Sequence, residues 1–373
     1  MDTRFLYLCK SILLCILTIL CALGILLFPA DVSKGALNGM NYCLYTLIPS
    51  LFPFMVLSSF IVNSRASYLL AKILHPITQF FFYLPGSAGA VIVMSMVGGY
   101  PIGARGCMSL LNQRVITQKQ AQRMLCFCVN AGPAFIITVV GSVLFQNTLL
   151  GVLIFFSQIV AMLIIGITLG LTARLRQENF INATAAPACC DSPFVESTLD
   201  ASRSLFNMCA FVILFSSLLS LLRSIGIAQG ICRLLLQLQI PASISASLLS
   251  ILTEITSGCV DTAVLHAPIT LLTFGLGFGG FCVHFQIFSI IKSGMSKLKF
   301  VLFRLFHGIV AALIFTVFLP LLPDSPVSVF SNTNQTISGT LSYSIPAGIA
   351  LAVCCIIFLF SVSFERNNPF VKR

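Results

Sequence analysis

Apolar runs of bilayer length restrict this chain more than any other feature. Segments 11–28, 149–171, 303–322 and 345–362 each approach the ~20 apolar residues needed to cross a membrane. Composition agrees: 58% of residues are hydrophobic and 8% are charged, against about 25% charged in soluble domains. The mean hydropathy is +1.02. The first run follows Lys10 and is not followed by a small-residue cleavage pattern. It reads as a retained helix, and an uncleaved signal-anchor has the same appearance.

The net charge of +11 is best read as a topology signal, because Lys and Arg gather in cytoplasmic loops. No basic stretch carries interleaved aromatics on a soluble domain, which argues against a nucleic-acid partner. The 15 cysteines lie mostly within apolar runs. They lack the paired spacing of a zinc site and read as small apolar filler. No metal site and no cofactor are expected.

Two polar stretches organise the chain. Residues 174–203 form a linker between two halves, and residues 323–344, free of Lys and Arg, form an external loop. Between them lies a weak internal repeat. YLPGSAGAVIVMSMVGGYPIGA, from Tyr83, aligns with QIPASISASLLSILTEITSGCV, from Gln239, so that Pro85 meets Pro241 and GGYPIG meets EITSGC. LFPFMVLSSFIV precedes the first copy, and CAFVILFSSLLSLL precedes the second. FCVNAGPAFII and GLGFGGFCVHF follow the two copies.

With a cytoplasmic N-terminus and a re-entrant hairpin at each proline, 18 of the 21 Lys and Arg lie inside, leaving Lys34, Arg223 and Arg233 outside. The two copies then run in opposite directions. Residues 105–123 carry four basic residues, whereas their counterpart, 259–273, carries none. A reversed bias of this kind is what an inverted repeat predicts.

Four interruptions fall inside apolar runs. They are Gly98–Gly99–Tyr100–Pro101, Asn130–Ala131–Gly132–Pro133, the polar stretch 253–258 around Glu254, and GLGFGG at 275–280, followed by His284 and Gln286. Broken backbone at membrane depth is tolerated where it is buried in protein or lines a wet cavity. Inverted-repeat carriers use such half-helix ends to bind solute and ion.

The candidate solute site is therefore Gly98, Gly99, Tyr100, Pro101, Gly103, Arg105, Asn130, Gly132, Pro133, Glu254, Thr256, Ser257, Gly258, Gly279, Gly280, His284 and Gln286. Each has a plainer reading. Paired glycines also allow close helix packing, Glu254 could sit in a surface loop, and His284 could be a core histidine. Arg105 and Asp261 share a repeat position and are either snorkelling residues or gates. Glu254 is a carboxylate within an apolar run, which marks it for a proton or Na⁺. No catalytic motif is present: HExxH, GxSxG and Walker loops are absent, and GLGFGG lacks its βαβ setting. An enzyme is not expected.

GGYPIGARG (98–106), FCVNAGPAFI (127–136), TEITSG (253–258), GFGGFCVHFQIFSI (277–290) and RLFHG (304–308) together resemble the YlbJ-type sporulation integral membrane proteins. That family carries the nucleoside-recognition, or Gate, domain. The likeness extends over residues 35–308. It implies a polytopic inner-membrane protein of endospore formers, with both termini cytoplasmic, in the cell membrane or the mother-cell-derived forespore membrane. It also implies a design related to concentrative nucleoside transporters, and transport of dipicolinate, a pyridine dicarboxylate. The resemblance brings no residue roles with it, so the site rests on the breaks.

The expected fold is an all-α polytopic membrane protein, an inverted-repeat bundle with broken helices and two re-entrant hairpins. Its parts are an N-terminal helix (1–34), a first repeat (35–173), the linker (174–203), a second repeat (204–292) and C-terminal helices (293–373). The expected function is a carrier or passive facilitator for a small organic anion in the lipid bilayer, with H⁺ or Na⁺ as the candidate coupling ion. The alternatives are a nucleoside or nucleobase transporter, and a structural protein of spore-envelope assembly. A homo-oligomer or partner sporulation proteins are compatible with each.

Overall fold

The computed structural model describes residues 3–64, 66–178 and 192–322, and among these there is no strand. The protein is an all-α, multi-pass membrane protein. Helix α1 (Thr3–Leu27) is followed by α2 (Pro29–Tyr42), which continues through a π-turn into α3 (Ile48–Asn63). Next come α4 (Ala66–Ile77), α5 (Gly86–Gly98), α6 (Tyr100–Asn112), α7 (Gln118–Leu125), a π-helical segment (Ala134–Leu144) and α8 (Thr148–Leu175). The second half contains α9 (Pro193–Ser224), α10 (Ile227–Gln237), α11 (Ala242–Thr253), α12 (Ile255–Val264), α13 (Ile269–Phe278), α14 (Gly280–Phe288) and α15 (Lys297–Phe318).

Five helical stretches are long and apolar enough to cross a bilayer: Pro29–Val62, Thr148–Leu175, Pro193–Ser224, Ile269–Phe288 and Lys297–Leu321. A sixth arises if Ser67–Phe82 and Gly86–Gly98, bent by 90° at their junction, count as one span. The apolar run at 345–362 and the loop at 323–344 lie outside the described residues.

The order of elements recurs in the two halves. A long helix (α3 or α9) leads to a shorter one (α4 or α10), then to a turn that ends in proline. The turn contains Tyr83 at φ 51° in the first half and Gln239 at φ 62° in the second, each two residues before the proline. Pro85 and Pro241 then occupy the N-cap positions of α5 and α11 in extended conformations. Proline suits that place because no helical N–H is lost there. Both α5 and α11 stop at a break, restart as α6 and α12, and close on a left-handed residue, Arg114 or His266.

The tips of the two turns differ in surroundings. Arg123 donates to the carbonyl of Tyr83 at 2.6 Å and pairs with Glu178 at 3.3 Å. Arg174 donates to the carbonyls of Gln79 and Phe80. The first tip is thus pinned, whereas Gln239 and Pro241 of the second are exposed.

Among the described residues of the polar stretch 174–203, 174–175 and 193–203 are helical: α8 runs to Leu175 and α9 starts at Pro193. Ser197, Ala201, Ser204 and Leu205 lie on the buried stripe of α9. Polar composition therefore concealed a helical period of 3.6. Residues 179–191 of that stretch lie outside the described residues.

Helix α6 crosses the second break at very close range. A Cβ on Gly103 would stand 1.6 Å from the carbonyl oxygen of Cys128. Gly103 therefore serves packing. Gly103→Ala should lower the thermal unfolding midpoint and the yield of folded protein in detergent, the overpacking costing about 1–3 kcal/mol. Gly230→Ala, where a Cβ would meet nothing within 4 Å, is the control and should leave the midpoint unchanged or raise it.

Candidate functional site

Three of the four breaks line one cavity: Gly98, Gly99, Tyr100 and Pro101 of the first, Ala131 and Gly132 of the second, and Glu254 and Thr256 of the third, joined by Cys282 and Gln286 of α14, the helix that follows the fourth break. Its sides come from α3 (Leu51, Met55) and α9 (Met208, Val212). The same elements of each half thus contribute. The cavity leaves ≈ 40 Å³ for the centres of water-sized spheres. One such water centre takes roughly 10–15 Å³, so the space fits a few waters and is too small for a larger solute.

The first and third breaks meet the cavity with opposite chemistry. Glu254 is the N-cap of α12, fully buried, and both carboxylate oxygens are engaged. Oε1 accepts from the N–H of Thr256 at 2.8 Å, and Oε2 from the N–H of Ser257 at 2.6 Å. A carboxylate at a helix N-terminus satisfies orphan N–H groups and is favoured by the helix dipole. At the corresponding place on α6 stands Gly99, with φ 83° and ψ −176° and no side-chain cap. This backbone conformation is open essentially to glycine alone. The α6 end therefore presents bare backbone where the α12 end carries its own anion.

The second and fourth breaks are joined by Arg304 of α15, which is 1% exposed. Its guanidinium donates to the carbonyls of Val129 and Gly277, and at 3.5 Å to that of Phe278. Nη1 also lies 3.2 Å from Nδ1 of His307. The Gly277 and Phe278 carbonyls end α13, where a cation complements the dipole. The Arg304 guanidinium lies 5.9 Å from the Tyr100 ring centre, and the Tyr100 hydroxyl donates to the carbonyl of Leu276 at 2.7 Å. A single cation thus closes the carbonyl groups that two broken helices leave open.

Arg304 and His307 were absent from the sequence-based site, and 303–322 was expected only to support the core. The available signal was RLFHG itself, an Arg and a His three residues apart in an otherwise apolar helix.

Other expected residues lie elsewhere. His284 is buried among Phe278, Phe281, Phe288 and Phe300, with Phe278 at 4.6 Å and Phe300 at 5.3 Å. Its Nδ1 is 2.6 Å from the carbonyl of Gly280, so Nδ1 carries the proton, and Nε2 is unpartnered. The Arg105 guanidinium donates to the carbonyl of Asp200 at 3.3 Å. Asn130 is buried beside the cavity and donates to the carbonyl of Phe127. Pro133 precedes the π-helical segment as its N-cap. Gly258 abuts Ile251, and Gly280 the carbonyl of Ile251. Gly279 supplies the left-handed turn, φ 88°, between α13 and α14. Ser257 lines a neighbouring chamber. Asp261, at the repeat position of Arg105, pairs with Arg223 at 2.5 Å. Among the described residues, no group of three or more His, Cys, Asp or Glu is placed to hold a metal ion.

Against curated proteins, the chain is 27% identical over 312 residues to the sporulation integral membrane protein YlbJ of Bacillus subtilis (strain 168), covering 75% of each. This similarity supports the resemblance to the YlbJ-type sporulation integral membrane proteins. No family model matches it, and no solved structure matches it.

In this YlbJ-like chain, Arg304 supports the breaks, and its loss leaves buried carbonyls without donors at about 1–3 kcal/mol each. Arg304→Met should sharply lower the thermal midpoint and the folded yield. Arg304→Lys, which keeps the charge but not the fork, should fall between Met and wild type. Thermal scans of purified protein, scored by loss of the monodisperse peak, check the order.

Proposed function

We propose that the chain is a carrier for a small organic anion in an inner membrane of an endospore former, and that the cavity at the breaks is where the solute binds. The observation that supports this best is the convergence of three breaks, and of the helix that follows the fourth, on one space, with both halves contributing like elements. A scaffold has no need to hold interrupted helices around one space. The recurring order of elements, together with the reversed charge bias, supports an inverted repeat of the Gate type, whose halves rock about a central site.

The polarity of the cavity favours an anion at the α6 end. Bare N-terminal backbone there suits a carboxylate, and Arg304 supplies positive charge behind Tyr100. Glu254 already occupies the corresponding place on α12. A proton or Na⁺ at Glu254 would relieve its repulsion from an anionic solute, which makes Glu254 the candidate for coupling. Because the space is this small, a solute of pyridine size fits only when the two halves part. By family resemblance the solute is dipicolinate. A second reading, a nucleoside, is favoured by the neutral hydrogen-bonding groups of Thr256 and Gln286 beside Glu254.

Uptake by proteoliposomes, with labelled dipicolinate and labelled uridine offered separately, tests the proposal. The pair Gly98–Gly99 is a poor target: the φ of Gly99 strains any side chain, and a Cβ on Gly98 would meet Ile102 at 2.6 Å. Glu254→Gln and Gln286→Leu change the cavity at nearly constant volume. Dipicolinate uptake is expected in wild type, reduced about tenfold or more in Glu254→Gln, which is about 1.4 kcal/mol, with normal membrane abundance. Uridine uptake alone would replace the anion reading with the nucleoside one. No uptake of either under imposed H⁺ and Na⁺ gradients would contradict transport.

A further inference from the structure

Beside the central cavity lies a second space, ≈ 80 Å³ by the same measure, lined by Asn38, Tyr42, Ser216, Arg223, Ser257 and Asp261 among others. It is polar where the first is mostly apolar. Ser257 connects the two: it lines this chamber, while its N–H donates to Glu254 Oε2, which faces the central cavity. Beyond Arg223, the chamber offers hydroxyl and amide donors from Asn38, Tyr42, Ser216 and Ser257. Ser216 is 5% exposed, and its Oγ has no partner. The one acidic side chain in the lining, Asp261, is already neutralised by Arg223.

That ion pair is also a fastening. Arg223 stands at the end of α9, and its Nη2 donates to Asp261 Oδ2 of α12 at 2.5 Å and to Ser250 Oγ of α11 at 2.9 Å. Ser250 Oγ in turn donates to Asp261. Three elements of the second half meet there, and α12 is the helix whose first turn holds Glu254. The side chain of Arg223 is 47% exposed and that of Asp261 21%. A pair this open is worth little on its own, so a competing carboxylate can take its place.

Building on the anion-carrier reading, we propose that this chamber is a second binding station for a carboxylate-bearing solute. There the solute carboxylate replaces Asp261 on Arg223 and accepts from the unpartnered Ser216 hydroxyl, and α12 is released from α9 and α11. A planar fork such as Arg223 recognises a carboxylate with two parallel donors. Asp261 holds the place until the solute arrives, and its displacement links arrival to movement of the helix that carries Glu254.

Equilibrium binding of labelled dipicolinate to the purified full chain in nanodiscs tests this. The variants are Asp261→Asn, Arg223→Gln and the double variant, each checked for a monodisperse peak. Removing the resident competitor in Asp261→Asn should tighten binding about threefold, the scale of a half-exposed ion pair. Arg223→Gln should weaken it, and in the double variant the gain from Asp261→Asn should vanish. Asp261→Asn is nearly isosteric and carries the test if Arg223→Gln does not fold. Wild-type affinity in Asp261→Asn, or a gain that survives in the double variant, would overturn the chamber while leaving the central site in place. Wild-type protein that neither binds nor transports dipicolinate would remove the anion reading, and this station with it.

Discussion

Backbone that leaves its helix inside a membrane has to find partners within the protein, and here one side chain serves two of the breaks. Arg304 reaches the carbonyls of Val129, Gly277 and Phe278, and so ties the second break to the fourth. Removing a guanidinium from water is costly. The cost is offset by several charge-assisted hydrogen bonds and by a helix C-terminus whose dipole favours the cation. Tyr100, stacked against that guanidinium and bonded to the end of α13, brings the first break into the same assembly.

Glu254 is the counterpart of opposite sign. It closes the N–H groups at the start of α12, as Arg304 closes the carbonyls at the end of α13. Between them lies the cavity, with the uncapped start of α6 on its wall. The two buried charges thus have structural duties before any solute arrives. Those duties make each a lever: a change in the charge of Glu254 alters both the first turn of α12 and the field inside the cavity. The Arg223–Asp261 pair, at the far side of Ser257, holds the same helix from outside.

Much of this was legible in the sequence. Glycine and proline in apolar runs marked three of the breaks, because neither continues a helix comfortably, and the polar run around Glu254 marked the other. The Pro85–Pro241 offset located the repeated turns, and the structure places a left-handed residue at the matching position of each. What stayed hidden was set by three-dimensional direction. Arg304 was counted as one of many basic residues signalling topology, since sequence does not show whether a guanidinium points to solvent or inward. His284, two residues from each of cavity-lining Cys282 and Gln286 and so on another face of α14, meets a phenylalanine cluster instead. Gly103 sits in a break motif but serves close packing against Cys128. The polar start of α9 read as a linker because its buried face is built of Ser and Ala rather than of large apolar residues.

The claim on which the account depends is that the cavity where three of the breaks meet is a solute site. Cys282 lines that cavity and is 1% exposed, so a thiol reagent reaches it, as a solute would, only when the halves part, and it reports occupancy without any substitution. The rate of its modification by a small methanethiosulfonate, followed by peptide mass spectrometry on protein in proteoliposomes, should fall as dipicolinate is added. Modification of Cys232, which lies on α10 and is absent from the cavity wall, should not change. A Cys282 rate indifferent to dipicolinate, in protein that takes dipicolinate up, would contradict the account, because the solute would then pass by another route.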